Sequence, residues 1–528
     1  MNSTIDQKVA PLFWAVVVLF IGIFVSLFRI IIMNQGVMVY TLDDAYIHLS
    51  LAENIAHFHY GINMQDFSAP SSSILWPFIL APFTLLPYVQ WVPLILNSII
   101  ALLTLFVSWK ILELIFIDQE EKFRQRLITF FLIVLIPATN LIGLIFTGME
   151  HSLQVLLIGT IMYGLLYEFR NKILLWWMAP VFLITSLVRY EDLAIVSVIL
   201  IILFLQGYRR QTIIVAAVIG VFVGGFSLFL VHLGLHPLPL SVLYKLSHYS
   251  DSMNPLVRIS NMMHTAGGMV LVMCVVIFSF LGMNPHRVAA ERLLSFAAAI
   301  ALLFHLAYGY TGWAWYCRYE IYVWFFSLVA LTYLLRENIA LAFTSSSLMF
   351  FSITLFGLLL VCSRYIQILE TIPLASSNIF EQHYQMHRFA TEYYRKPVGV
   401  NDIGYVSFQN DQYVLDYGGL ASEPAYRERN NNGDINWMDS LASANGVELA
   451  MIYDNWFPQR PATWTKVADM QLRHDQFVIG DPVVSFYVMK ENSYHKVRDE
   501  LIDFEKTLPY RNMLVIYNKT FLNNSFRN

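Results

Sequence analysis

Two adjacent carboxylates, Asp43 and Asp44, follow the first long apolar segment of the chain. Residues 9–28 and 30–33 are almost wholly apolar, and an ionised carboxylate is costly in hydrocarbon, so the pair must lie where the first helix emerges into water. The simpler interpretation is a helix cap, but one cap needs one Asp, and adjacent carboxylates repel each other. Two adjacent carboxylates are most readily explained at a site that binds a cation, needs a general base, or both. The pattern therefore predicts a catalytic loop at the membrane surface, where the first helix ends.

The residues around the pair suggest how it is held and what it faces. Residues 44–57 predict a short amphipathic helix in the membrane interface, capped by one of the two Asp. Basic residues follow on connections that face the same side, namely Arg189, Lys245 and Arg318. Arg can grip a phosphate through two hydrogen bonds, and Lys acts as a point charge. Cations near helix ends also extend to lipid head groups, and this alternative stays open for each of them.

The composition is that of a polytopic membrane protein. Hydrophobic residues make up 57% of the chain and charged residues 13%, against about 25% charged in ordinary soluble domains. A net charge of −4 without a long basic tract argues against nucleic acid as a partner. The sequence has no dinucleotide, P-loop or zinc-protease pattern, and no CxxC pair. The first apolar stretch is too long for a signal peptide and predicts a retained anchor.

Apolar segments long enough to span a membrane, or nearly so, recur along the first two thirds of the chain. They fall at residues 11–33, 73–87, 91–117, 127–147, 151–168, 173–188, 190–206, 211–231, 266–283, 293–310, 319–335 and 339–362. Clusters of Lys and Arg punctuate alternate connections and mark the cytoplasmic side. Segment 73–87 is short and ends at Pro87, so we expect it not to span fully. This leaves about 11 transmembrane helices.

The composition changes at about residue 363. Residues 1–362 predict a transmembrane catalytic domain with a first outer loop at 34–70, and residues 363–528 predict a soluble extracytoplasmic α/β domain. We expect a helix near 378–394 and strands at 397–400, 412–415, 448–452 and 483–488. If the last span runs outward, this domain lies on the face of the acidic pair and can cap the site.

Motifs in a fixed order connect the two parts of the chain. They are Asp43-Asp-Ala-Tyr-Ile47 with Ala52-Glu-Asn-Ile-Ala56 and Ala69-Pro-Ser-Ser-Ser-Ile-Leu-Trp76, then Thr147-Gly-Met-Glu-His-Ser-Leu153, Leu187-Val-Arg-Tyr-Glu-Asp-Leu193, Pro237-Leu-Pro-Leu-Ser-Val-Leu-Tyr-Lys245, and Val400-Asn-Asp-Ile-Gly-Tyr405 with Val414-Leu-Asp-Tyr-Gly-Gly-Leu420. This series resembles integral-membrane glycosyltransferases of the GT-C superfamily. It is most similar to the mycobacterial terminal β-(1→2)-arabinofuranosyltransferase group and its Gram-negative relatives.

The resemblance implies an inverting enzyme that moves a sugar from a polyprenyl phosphate to a hydroxyl on the outer face of the bacterial inner membrane. It implies that Asp43 takes the acceptor proton. Asp44 would either orient Asp43 or share a divalent cation with it (Mg²⁺, Mn²⁺ or Ca²⁺). The candidates for holding the donor phosphate are Lys245, Arg318 and Arg189. The candidates for contacting sugar or acceptor are Tyr46, His48, Glu150 and Tyr244, with interface packing as the alternative for Tyr46 and solvation for Glu150.

Other features leave several donor sugars and acceptors as alternatives. Leu240 stands where relatives tend to have Asn, and Arg189-Tyr190-Glu191 replaces their Arg-Pro-Glu, so arabinose is one of several possible donor sugars. Acceptors include lipopolysaccharide, another surface glycan or a surface protein, and we expect a monomer among membrane lipids. The alternatives are an oligosaccharide ligase or other lipid-linked-donor transferase, and a transporter. Against a transporter stand the absence of sequence repeats and the large C-terminal domain. Asp402 and Asp416 are expected to close turns.

Overall fold

The chain is mostly helical, with one sheet in its C-terminal part. The computed structural model describes residues 2–248, 254–309, 316, 318–344, 366–430 and 436–518. The helices of the first part are α1 (Asn2–Met33), α2 (Asp44–Ala56), α3 (Trp76–Leu80), α4 (Val92–Ile115), α5 (Glu121–Ala138), α6 (Leu141–Thr147), α7 (His151–Asn171), α8 (Met178–Val188), α9 (Leu193–Leu205), α10 (Arg209–His232), α11 (Leu240–His248), α12 (Pro255–Met263), α13 (Ala266–Met283), α14 (Ala289–Tyr308), α15 (Ile321–Leu334) and α16 (Arg336–Thr344).

Several of these helices can cross a membrane. Five are long and apolar enough by themselves within the described residues: Ala10–Met33, Val89–Ile115, His151–Asn171, Arg209–His232 and Ala289–Tyr308. Three bent helix pairs raise the number to 8 if each pair is one span. Segment 73–87 forms only α3 and a 3₁₀ turn at Ala81–Phe83, as expected. Most of segment 339–362 lies outside the described residues, so the count of about 11 stays a prediction.

Helix α2 confirms the predicted helix but not its predicted place in the membrane interface. All of its residues from Ala45 to Ala52 are buried. It packs against α3 on one side and against a short helix of the C-terminal part, Gly404–Ser407, on another. Apolar residues on all sides are typical of a buried helix, which explains why the apolar positions of this segment follow no single period.

The C-terminal part is an α/β unit. Its helices are α17 (366–381), α18 (His383–Arg388), α19 (Gly404–Ser407), α20 (Glu423–Asn430), α21 (Trp437–Ala444) and α22 (Tyr494–Glu505), with a π-helical turn at Phe389–Tyr394. Its strands are β1 (Val398–Val400), β2 (Val414–Asp416), β3 (Leu449–Ile452), β4 (Thr465–Gln471), β5 (Val483–Val488) and β6 (Leu514–Ile516). The sheet order is β2-β1-β3-β5-β4-β6. Strands β2, β1 and β3 are parallel, and the remaining pairings are antiparallel.

The four predicted strands are present, and β4 and β6 were missed. Strand β4 carries polar residues among its apolar ones, and β6 has only three residues, so neither gives a clear pattern. The predicted helix is also present, although the helical residues already begin at 366 and continue through α18.

The first outer loop packs directly on the C-terminal unit. The side chain of Asn63 donates to the carbonyl of Val414 and accepts from its N–H, at 3.1 and 2.9 Å. The Tyr413 hydroxyl donates to the Asp66 carboxylate at 2.7 Å. The residues after the first helix and the sheet are therefore in direct contact. Their place on the extracytoplasmic side of the membrane stays a prediction.

Candidate active site

A cavity of about 270 Å³ lies between the helical part and the C-terminal unit. Of the predicted site residues it is lined by Asp43, Asp44, His48, Arg189, Tyr244, Lys245 and Arg318. Residues that follow strands β1 and β2, among them Asn401, Asp402 and Gly418, also line it. Ligands commonly bind at the carboxyl ends of parallel strands. The cavity thus gathers residues from segments far apart in the sequence.

Asp43 is held by the backbone of the C-terminal unit. The N–H groups of Gly404 and Tyr405 donate to its two carboxylate oxygens, each at 2.8 Å. The side chain does not cap α2, whose first turn has no side-chain cap hydrogen bond. Gly404 is required for this contact, because an added Cβ would overlap the Asp43 carbonyl and carboxylate oxygens. The carboxylate is thereby fixed in the cavity wall.

The surroundings of Asp43 suit a proton acceptor. Burial raises its pKa to about 6, Asp402 and Asp44 act in the same direction, and His383 and the Tyr405 N–H oppose them. His383 contacts the Asp402 carboxylate at 3.3 Å. Burial disfavours its charged form, but Asp43 and Asp402 raise the pKa of His383 above its usual value. A carboxyl with a pKa near neutrality is well matched to general base work.

Asp44 faces a different partner. Its carboxylate pairs with the Arg318 guanidinium, which also donates to the Tyr319 hydroxyl at 2.9 Å. The Arg318 side chain is buried, whereas that of Asp44 is 37% exposed. Asp44 therefore orients a cation, while its neighbour in sequence is held by backbone N–H groups.

Three cations converge on one aromatic ring. The charged groups of Arg318, Lys245 and Arg189 lie 4.8, 4.9 and 5.8 Å from the centre of the Tyr319 ring. Cations within about 6 Å of such a ring are attracted to its face. The Lys245 ammonium also donates to the Ser72 hydroxyl at 2.8 Å. These groups form a positively charged end of the cavity that fits an anion.

The three cations differ in how far they are neutralised. Arg189 pairs with both Glu150 and Glu191. Burial disfavours the charge on Glu191, but Arg189 and Lys245 lower its pKa to about 2. Within the described residues, Lys245 has no carboxylate at ion-pair distance, and burial, helped by Arg189, lowers its pKa to about 7. Of the three cations, Lys245 is thus the one without a paired carboxylate in the part of the chain that the structure describes.

Comparisons with known proteins give matches to one family model and to solved structures. A family model described as a domain of unknown function (DUF8728) matches residues 377–487, and no curated protein matches the chain. The chain is similar to the crystal structure of the Archaeoglobus fulgidus oligosaccharyltransferase with Zn and sulfate, at 11% identity and a TM-score of 0.44, covering 92% of this chain and 76% of that one. A structure of AglB from the same organism, with an inhibitory peptide and a dolichol-phosphate, has the same identity and TM-score and coverages of 92% and 77%. Likenesses at this distance assign no reaction to the chain.

Two predicted contact residues lie outside the cavity wall. Tyr46 is fully buried, its ring is 3.8 Å from that of Tyr405, and its hydroxyl accepts the Tyr40 N–H. It packs in the core, which is neither the predicted sugar contact nor the alternative of packing at the membrane interface. Glu150 is also fully buried, between Arg189 and His48. It positions these two side chains and is not placed to touch a sugar.

A metal ion shared by the acidic pair does not fit this geometry. Both oxygens of Asp43 accept backbone N–H groups, and the Asp44 carboxylate pairs with Arg318. The described residues contain no group of three or more His, Cys, Asp or Glu that could hold a metal. Mg²⁺ and Ca²⁺ need several oxygen ligands turned toward one point. The two carboxylates are turned toward different partners instead.

The sequence also missed residues of the cavity. Asp402 lines it beside His383, where a turn was predicted, whereas Asp416 does close a turn by accepting the Ala421 N–H at 2.7 Å. Tyr319 and His383 gave no signal of their own, since aromatic residues are common in this chain and single His residues are usually structural. Tyr319 directly follows the predicted Arg318, which was the one available hint.

Proposed function

We propose that this protein is a membrane glycosyltransferase that moves a sugar from a polyprenyl-phosphate donor to a hydroxyl of a cell-envelope glycan or glycoconjugate. The observation that supports it is the arrangement of the cavity. A base candidate, Asp43, lies on one wall, and the cations around Tyr319 form the positive end. The motif resemblance to GT-C enzymes supports the same assignment.

The proposed reaction is one displacement. The acceptor hydroxyl gives its proton to Asp43 while its oxygen forms a bond to the anomeric carbon of the donor sugar. The bond between that carbon and the phosphate oxygen breaks, and the electron pair leaves with the phosphate. Lys245 and Arg318 offset the charge that develops on the leaving group, as fixed cations do in dry sites. A single displacement inverts the anomeric carbon.

The remaining site residues have supporting roles in this proposal. Asp44 holds Arg318 in place, and Glu150 holds Arg189 and His48. Tyr244 and His48 lie in the wall where sugar or acceptor would bind. We place the cavity on the extracytoplasmic face of a bacterial inner membrane, where a lipid-linked donor reaches it from the bilayer.

The experiment is transfer by the purified full chain in detergent. Polyprenyl monophosphates carrying a labelled pentose or hexose, and polyprenyl diphosphates carrying an oligosaccharide, are supplied in parallel with surface glycans from a deletion strain. Transfer from a monophosphate supports the proposal. Transfer only from the diphosphate-linked oligosaccharide assigns the chain to the ligase alternative, and no transfer from either donor removes the glycosyltransferase assignment.

A further inference from the structure

A second cleft, of about 280 Å³, lies on another side of helix α2. Its lining comes from residues 50–65 of the first outer loop and from residues 407–414 of the C-terminal unit. It shares no lining residue with the cavity described above. Asp44, in the cavity, and Asn54, in the cleft, are ten residues apart on α2, which corresponds to about 15 Å along the helix axis. The cleft is therefore separate from the cavity.

Some polar side chains of the cleft hold its frame. The Asn63 carboxamide donates its N–H to the Val414 carbonyl, and its oxygen accepts the Val414 N–H. The Asn54 amide donates to the carbonyls of Gly61 and Ile62, each at 2.8 Å. Asn410 donates to the Val406 carbonyl at 3.0 Å and accepts the Gln412 N–H at 2.9 Å. These bonds fix both edges of the cleft without a bound ligand.

Other polar side chains of the cleft are not used by the protein. The carboxamides of Gln65, Gln409 and Gln412 line it, and none of them makes a hydrogen bond to another described residue. Gln409 also holds a left-handed backbone, with φ at 51°, a conformation that costs free energy in a non-glycine residue and is often kept at functional sites. A carboxamide both donates and accepts, so these groups match sugar hydroxyls, which do the same.

Charge narrows the class of ligand. The ionisable residues in the cleft are Glu53, His57 and Asp411, and no Lys or Arg lines it within the described residues. Burial raises the pKa of Glu53, and Asp411 acts in the same direction. Two acidic side chains disfavour a phosphorylated or otherwise anionic ligand. The lining suits a neutral, polyhydroxylated one.

We propose that this cleft binds a neutral part of the acceptor glycan, at a distance from the point of transfer. The inference rests on the proposed function and names the acceptor class that the site would select. The acceptor would be held here by residues of both chain segments while its reacting hydroxyl reaches Asp43 in the cavity.

The test measures binding separately from transfer. Surface glycans released from a deletion strain are separated into neutral and acidic fractions by anion exchange and labelled with a fluorophore. Binding of each fraction to the full-length Asp43→Asn protein is followed by fluorescence anisotropy. We expect the neutral fraction to bind. The added double substitution Gln65→Ala/Gln412→Ala should weaken this binding about tenfold, the loss of two neutral hydrogen bonds.

Gln471→Ala is the matched control, because Gln471 is an exposed carboxamide on β4 outside the cleft. It should leave binding unchanged. In the otherwise wild-type enzyme the double substitution should raise the KM for acceptor about tenfold and leave the KM for donor unchanged, which also shows that the variant is folded.

Unchanged binding by the double variant, binding of the acidic fraction alone, or no binding of either fraction would overturn the proposal. The outcomes distinguish a failure of the cleft proposal from a failure of the proposed function. If glycan binding depends on the cleft but Asp43→Asn transfers normally, the cleft stands and the mechanism fails. If Asp43→Asn is inactive while the double variant binds and transfers normally, only the cleft assignment fails.

Discussion

The two ends of the cavity are built in different ways. At the positive end, Arg189, Lys245 and Arg318 come from separate segments of the helical part and lie around the Tyr319 ring. On the other wall, Asp43 is fixed by backbone N–H groups of the C-terminal unit. Side-chain cations can adjust to a leaving phosphate, whereas a backbone-held carboxylate keeps one position. In the proposed reaction, the helical part would therefore hold the donor phosphate, and the C-terminal unit would fix the position of the base.

The largest effect is expected from Asp43→Asn. An amide cannot take the acceptor proton, so the rate of transfer should fall by roughly 10²- to 10⁴-fold. The rate is measured with purified protein and a labelled lipid donor. Asp44→Asn should cost less, because it loosens Arg318 and leaves the base in place. Asp503→Asn, at an exposed position, is the control, and near-normal transfer by a well-expressed Asp43→Asn protein would remove the base from this wall.

Removal of a cation should affect the donor and spare the acceptor. Lys245→Ala and Arg318→Ala each take away hydrogen bonds to a charged group, worth about 1.5–3 kcal/mol, so donor kcat/KM should fall roughly 10- to 150-fold. The acceptor KM should change little. Lys506→Ala, which removes an exposed charge from the C-terminal unit, serves as the control. Normal donor kinetics in both variants would assign these cations to lipid head groups.

The backbone contact of Asp43 can be disturbed without removing the base. Gly404→Ala places a Cβ against Asp43, so the carboxylate must move, and a small misplacement of a catalytic group costs up to about 10²-fold in rate. We expect transfer to fall about tenfold or more while the acid side of the pH profile is retained. Gly220→Ala is the control, since a Cβ there meets open space. An unaffected rate would show that the C-terminal unit does not position the base.

The smallest effect is a change in the shape of the pH profile. Asp43 must be ionised, and its pKa is about 6, so donor kcat/KM should rise as the pH passes 6. Lys245 must be charged, and its pKa is about 7, so kcat/KM should fall as the pH passes 7. Lys245→Arg keeps the charge at all of these pH values, so the alkaline fall should disappear. If Lys245→Arg leaves the profile unchanged, Lys245 does not set the alkaline limb.

Sequence patterns predicted the structure best where a residue type has few possible environments. The acidic pair and the three cations line one cavity, and four strands lie where they were predicted. Charge in an apolar chain and runs of strand-forming residues are strong local signals. Tyr46 and Glu150 were predicted to contact sugar or acceptor from their place in a motif, but both side chains are fully buried. A motif gives the order of residues along the chain, but which side of a helix faces the cavity depends on what packs around it.

The sequence by itself indicated a membrane protein with a few candidate acidic and basic site residues. The length of its apolar segments and the rarity of charged residues can be read from the chain alone. Only the tertiary structure showed the different partners of Asp43 and Asp44, which are identical side chains one position apart. It brought Gly404 and Tyr405 to the first and Arg318 to the second across more than 270 intervening residues. Such partners are fixed by packing between distant segments, and no local pattern encodes them.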